Sequence, residues 1–416
     1  MKEIISSPEV TAPARQFAPA SAMVIALSIG QVVSWGTLFY AFTLFIVPME
    51  AEFGWSRTEL NGALSLGLLA SAIMALPAGT LIDRFGGRWI MGICAVLGAA
   101  CLALWSMISD LTSFYLLWIV IGMLHAGTLY EPAFAVLTAN VRDYKRAITF
   151  MTFFGGFAST VFIPLTHLLI DHFGWRQALL ALAIIQLTIP GIFNILMLSG
   201  TRGSMSGEAV TPSTTQEHSP LTGALRQPAF WGLSLALTAY ALLFSGLTFH
   251  MIPLLSERGV SLDQTVAAVA LIGPSQVGGR LILFFFATNV SARALGKVVF
   301  LMPIVAMILL IAAPPFGFPG LVAFAFVYGL GNGMITIVRG AGVAEIFGTR
   351  GYGAISGALT LVTNLAKAIA PLLLAFLWQI GENYQTPLHI FLVITCIGAA
   401  AFWFAASASK NREIQK

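Results

Sequence analysis

Twelve apolar stretches, each long enough to cross a bilayer, constrain this chain more than any other feature. Inside hydrocarbon every backbone N–H and C=O has to be satisfied within the protein, which leaves helices and closed barrels as the spanning structures. A spanning helix takes about 20 residues and a spanning strand about 10. The stretches run over 20–48, 58–81, 89–108, 112–140, 147–170, 176–198, 229–256, 262–288, 295–313, 319–344, 352–379 and 386–408, all of helical length. The expected fold is an all-α integral membrane protein with twelve transmembrane helices. Residues are 58% hydrophobic and 9% charged, against about 25% charged in soluble domains. No soluble domain is left in which to build a Walker loop, a nucleotide fold or a catalytic triad, so an enzyme is not expected.

The longest polar interruption, 199–228, is rich in Ser, Thr, Gly and Pro and reads as a flexible linker. It divides the chain into a tail 1–18, a six-helix half 19–198, the linker itself, a second six-helix half 229–408 and a tail 409–416. The run from Ala20 to Val47 is longer than a signal-peptide core, and is read as an uncleaved first span. Basic residues set the orientation. With both termini cytoplasmic, 15 of the 21 Lys and Arg fall in inner segments, and only Arg57, Arg176 and Arg258 in outer loops. The net charge of +4 is then topogenic and implies no nucleic acid. A multi-pass monomer in a cell membrane of the bacterial inner type is expected, with the lipid bilayer as its surroundings. Cys94, Cys101 and Cys396 lie in apolar runs without ligand spacing, so neither a disulfide framework nor a metal or other cofactor is expected.

The two halves repeat each other. FIVPME near the end of span 1 matches HMIPLL near the end of span 7, setting Pro48 against Pro253 at an offset of 205. Arg142, Asp143 and Tyr144 match Arg350, Gly351 and Tyr352 at 208; Ala147 and Ile148 match Ala354 and Ile355 at 207; Pro164 matches Pro371 at 207. A nearly constant offset describes two parallel repeats about an axis along the membrane normal, a transporter architecture.

Away from the span ends, four charges lie inside spans: Glu131 in span 4, Arg280 in span 8, Arg339 in span 10 and Lys367 in span 11. Each costs at least ~2.5 to 3.5 kcal/mol near mid-bilayer, so such residues pair, line a wet cavity or carry protons. An offset of 208 sets Glu131 against Arg339, and these opposite charges are expected to pair in one state and part in another. Glu131 reads either as a proton carrier or as a static ion pair with Arg339 or Arg142. Pro132 invites a kink beside it, and Gly127, one turn earlier, permits close helix approach. Thr360, Thr363, Asn364 and Lys367 form a polar stripe on one face of span 11. That stripe is a candidate pathway lining, with Lys367 as a second anion site or a counter-charge to Glu131. Span 1 adds Ser28, Gln31, Ser34 and Trp35, and span 7 adds Tyr240, Phe244, Thr248 and His250. His125 lies off the face of Glu131 and is not paired with it.

Between spans 2 and 3 stands GTLIDRFGGR. Gly86 and Gly87 allow a tight turn, and Asp83 suits a cap or a pair at a helix end. The segment resembles the loop 2–3 signature of the major facilitator superfamily. That resemblance implies alternating access in a twelve-helix fold, with Gly79, Asp83, Arg84, Gly87 and Arg88 as conformational gating residues. In span 8, GPSQVGGRLILFF puts Gln276 one turn before Arg280. Arg280 resembles the span 8 arginine of the monocarboxylate transporter and oxalate:formate antiporter branch, which engages the substrate carboxylate. A guanidinium suits that task through its two-pronged donor geometry and permanent charge. Tyr40, Ala41 and Phe42 are similar to a tripeptide of the monocarboxylate carriers. Those carriers have a lysine where this chain has Leu44 and an aspartate where it has Gln276, so their proton relay is not carried over.

The leading expectation is a secondary transporter that moves a small organic anion, a monocarboxylate, by alternating access with a proton. Arg280, Gln276, Lys367, Asn364, Gln31, Trp35 and Tyr240 are the expected substrate-binding residues, and Glu131 and Arg339 the coupling pair. Three intramembrane cations against one carboxylate motivate the anion. Two other functions stand open: a proton-driven exporter of a drug, metabolite or metalloid, and a non-transporting membrane sensor.

Overall fold

The computed structural model describes residues 20–199, 201, 219–287, 290–313 and 316–414. The expected tail 1–18 lies outside the described residues, as do 200 and 202–218 of the expected linker. Among the described residues, twelve helices are long and apolar enough to span a membrane. They are Ser21–Phe53, Glu59–Phe85, Gly87–Trp105, Leu111–Asn140, Tyr144–Phe173, Trp175–Met197, Pro228–Glu257, Asp263–Phe286, Ala292–Ala312, Gly317–Phe347, Tyr352–Gly381 and Gln385–Ala408. The ends differ from the sequence expectation by a few residues, and caps explain several of them. Asp143 accepts the Arg146 N–H and starts span 5 at Tyr144, Ser291 starts span 9 at Ala292, and Asp110 starts span 4 by accepting from Ser113 at 2.9 Å. With no breaker after Ala408, the last helix continues through Ile414.

The hydrophobic cores divide the molecule unequally. At the end carrying Arg84, Arg88, Arg142 and Arg350, here the basic end, one continuous core joins both halves. Phe134, Ile148 and Met151 of the first half share it with Val338, Tyr352 and Ile355 of the second. Towards the opposite end each half has its own core, around Phe45, Trp105 and Trp118 in one and Leu247, Phe324 and Phe391 in the other. The halves are thus closed against each other at the basic end and separate beyond it.

Two polar latches reinforce that closure. Asp83, 2% exposed, accepts the N–H groups of Gly353 at 3.0 Å and Ala354 at 2.8 Å. These are orphan donors in the first turn of span 11, whose own cap, Gly351, has no side chain to offer. A carboxylate there also complements the helix dipole. The approach requires glycine on both sides, since a Cβ on Gly79 would strike the Gly353 carbonyl and one on Gly353 the Gly79 carbonyl. The repeat offset of 208 carries Gly79 to Ala287 and Gly353 to Lys145. That equivalent pair also touches, with Lys145 Nζ donating to the Ala287 carbonyl at 2.9 Å. Asp83→Ala removes a helix cap worth about 0.5 to 2 kcal/mol. It is expected to shift the population by a few-fold to about thirtyfold towards opening at the basic end. Distances between spin labels on the two halves at that end read the shift directly.

Candidate functional site

Proline chemistry builds the centre of the site. Pro132 has no N–H for the Thr128 carbonyl and its ring crowds that carbonyl, so span 4 breaks into Leu111–Thr128 and Tyr130–Asn140 at an extended Leu129. Gln31 of span 1 supplies the missing donor, its Nε2 lying 2.9 Å from the Thr128 carbonyl and 3.1 Å from that of Leu129. The break places Glu131 in the first turn of a new helix, where the dipole favours a carboxylate. Arg339 Nη2 reaches Glu131 Oε1 at 2.6 Å and Thr360 Oγ1 at 2.5 Å. The repeat-related charges therefore pair across the two halves in this closed-basic-end state, while Arg142 is exposed.

Pro371 creates the matching problem in span 11, leaving the Lys367 carbonyl without its i+4 donor. Ser245 of span 7 fills it at 2.6 Å. Ser245→Ala leaves that carbonyl unpaired in a buried setting, at a cost of about 1 to 3 kcal/mol. A lower apparent Tm of the purified protein is the expected readout. Lys367 itself is half-buried, with its Nζ 3.5 Å from Asn364 Oδ1.

Arg280 crosses from the second half onto span 5 of the first. Its side chain is 8% exposed, Nη1 donates to the Thr152 carbonyl at 3.1 Å, and Nε is buried without a partner. Gly156 makes the seat, since a Cβ there would meet the guanidinium. The charge lies close enough to act on the hydroxyls of Tyr40, Tyr130 and Tyr240. Tyr240 donates to Asn332 Oδ1 at 2.7 Å. Gln276 is half-buried one turn from Arg280, and its backbone carbonyl packs against Gly333. Trp35 lies 5.0 Å, centroid to centroid, from Tyr130, with its Nε1 buried and unpartnered. Around the break in span 4, Arg339 bridges Glu131 and Thr360, Trp35 packs on Tyr130, and the Arg280 charge acts on Tyr130 and Tyr240.

Other polar residues serve the frame. His125 Nε2 faces the Leu38 carbonyl at 3.2 Å, so that nitrogen carries the proton. His250 is held at the far end between the Tyr384 hydroxyl, 2.9 Å from Nδ1, and the Pro371 carbonyl, 3.0 Å from Nε2. Arg88 Nε donates to Ile195 at 2.8 Å, a Cβ on Gly87 would strike Val136, and Arg84 lies exposed over the Phe85 ring. Spans 1 and 6 each contain a π-helical turn, Gly36–Tyr40 and Leu187–Phe193. The two meet where the Thr37 hydroxyl lies 2.8 Å from Gln186 Oε1. Sequence reasoning missed Thr152, Gly156, Ser245 and Asn332. Asn332, an amide inside the apolar span 10, and the Gly155, Gly156 pair were visible signals.

Charge accounting defines what the site is able to hold. The carboxylate of Glu131 is taken up by Arg339. Among the described residues, neither Arg280 nor Lys367 forms an ion pair with a carboxylate. One buried cation, Arg280, and one half-buried cation, Lys367, favour an anion between the halves.

Comparison with known proteins agrees with this geometry. Cattle monocarboxylate transporter 13 is 22% identical over 388 residues, covering 90% of this chain and 88% of its own length. The crystal structure of the human organic anion transporter MFSD10 (TETRAN) superposes with a TM-score of 0.68 at 16% identity, covering 92% of this chain and 99% of that one. FucP of E. coli, in its outward conformation, gives 0.74 at 13% identity, covering 93% and 98%. The sequence profile of the Major Facilitator Superfamily matches residues 27–317. With the profile spanning most of the chain and the twelve helices folded as in these transporters, the protein belongs to the major facilitator superfamily, whose members carry out secondary transport by alternating access.

Proposed function

We propose that this transporter moves a small organic anion, a monocarboxylate, together with a proton. The observation that carries the reading is the pair of cations, Arg280 and Lys367, that among the described residues have no carboxylate of their own beside an already neutralised Glu131–Arg339 pair. The carboxylate is bound by Arg280, with Gln276, Tyr240, Asn364 and Lys367 completing the second-half surface and Gln31 and Trp35 the first-half surface. Protonation of Glu131 frees Arg339, weakens the tie between the halves and lets the basic end open. The basic end is read as cytoplasmic from the basic residues gathered there, which makes the present state outward-facing. A monomer in a bacterial-type cell membrane, with both termini inside, completes the proposal. The name of the cattle relative favours the same substrate class.

Proteoliposomes loaded with short acids test it by counterflow. Uptake of a labelled monocarboxylate stimulated by an inward proton gradient, and lost with a protonophore, is the expected result. Acid uptake indifferent to the gradient sinks the coupling. Carriage of neutral compounds with no acid uptake sinks the anion.

A further inference from the structure

A lateral cleft of about 740 Å³ runs between spans 7 and 12 and shares no residue with the site between the halves. Gly232 and Ala401 form its floor, where the helices approach so closely that a Cβ on Gly232 would press on the Ala401 carbonyl. Trp231 and Leu235 stand on one wall and Ile397 and Phe404 on the other, all roughly half exposed. Ile397 to Phe404 covers about 10 Å of depth at 1.5 Å per residue, some two-thirds of the roughly 15 Å of hydrocarbon in one leaflet. Apolar walls open to hydrocarbon on two spanning helices suit an acyl chain. The mouth then decides which lipid supplies it.

That mouth lies at the basic end, because the short helix Pro220–Leu225, which leads through Arg226 into span 7, packs its Pro220 against Gly351. Among the described residues, the one charge lining the cleft is Arg226, whose side chain is exposed. Trp231 Nε1 donates to the Leu225 carbonyl at 2.9 Å, which ties the indole beside Arg226 at the level where such amphipathic rings meet headgroups. A guanidinium suits a phosphate through its forked donors. The ammonium of a zwitterionic headgroup would add a second cation at the same mouth. A second lateral cleft, among spans 1, 5 and 8, differs in having Asp143 as well as Arg146 in its lining, so its charge has no preferred sign. We propose that the cleft between spans 7 and 12 binds an anionic phospholipid, its phosphate on Arg226 and one acyl chain between the two helices.

Thermal-shift titration of the purified full-length protein in detergent tests this with dioleoyl phosphatidylglycerol against dioleoyl phosphatidylcholine, and with glycerol 3-phosphate as a headgroup without chains. Phosphatidylglycerol is expected to raise the Tm saturably at about fivefold lower concentration than phosphatidylcholine, the margin of one basic side chain at a lipid surface. Glycerol 3-phosphate is expected to leave the Tm unchanged. Arg226→Gln brings the ratio of the two lipids towards one, Arg226→Lys keeps a preference, and Ala400→Trp, which fills the cleft, abolishes the saturable rise. Equal stabilisation by the two lipids overturns the proposal. So does a preference that survives Arg226→Gln, or one that falls as far with Arg142→Gln, an exposed arginine of the same end, since the whole surface would then be responsible. A rise that survives Ala400→Trp places the lipid elsewhere, and a shift with glycerol 3-phosphate alone makes this a phosphate site; either result overturns the lipid assignment.

Discussion

Arg280→Lys is expected to raise the acid concentration for half-maximal counterflow by about tenfold to a hundredfold, matching the loss of a charged hydrogen bond worth about 1.5 to 3 kcal/mol. Charge alone is kept by the change, so the loss isolates geometry. The guanidinium spends one nitrogen on the Thr152 carbonyl and has its Nε buried without a partner, so a planar donor set remains for a carboxylate. A lysine ammonium is a point charge and cannot both hold Thr152 and present a fork. Its seat at Gly156 is also shaped for the flat group. Initial rates of labelled acid uptake over a range of concentrations give the result. Unchanged uptake would remove Arg280 from the substrate site and leave it as a tie between span 8 and span 5.

Much of this arrangement is legible in the sequence, for identifiable physical reasons. Spans are legible because hydrocarbon admits no unsatisfied backbone, so length and apolarity nearly determine them. The Glu131–Arg339 pair at 2.6 Å is legible because duplication preserves register, and an offset of 208 is enough to set the two charges opposite each other. The kink at Pro132 was equally plain. What fills it was not, since Gln31 lies about a hundred positions away and any polar residue on a neighbouring helix meets the requirement. Ser245 beneath Pro371 presents the same problem. Spans 1 and 7, equivalent in the repeat, each lend a side chain to a carbonyl that a proline leaves without its donor, and only the packed structure identifies the donor. The π turns of spans 1 and 6 left no mark on an apolar pattern that does not distinguish a helix from a slightly widened one.

We propose that the break in span 4 is where this bundle bends during alternating access, whereas span 11 runs unbroken through Pro371. A helix interrupted at Leu129 with its free carbonyls held by one glutamine amide has a hinge whose cost is already met within the protein. Glu131 lies two residues beyond it. The ion pair on one side of the hinge and the latches of Asp83 and Lys145 at the basic end therefore hold the same closed state from two depths.

Glu131→Gln separates coupling from transport on that basis. Glutamine has nearly the same shape, and its Oε1 still accepts from Arg339, which keeps Thr360 as a second acceptor. Fold and binding surface are thus retained, while among the described residues the one carboxylate paired with Arg339 is lost. The expected outcome is that an imposed proton gradient no longer drives accumulation above equilibrium, whereas exchange of labelled for unlabelled acid continues. A static pair predicts the opposite, since a neutral hydrogen bond in place of an ion pair weakens the closed state but leaves the energy source connected. Accumulation that persists in Glu131→Gln proteoliposomes would therefore make the pair structural. Loss of accumulation with exchange intact assigns the proton to Glu131.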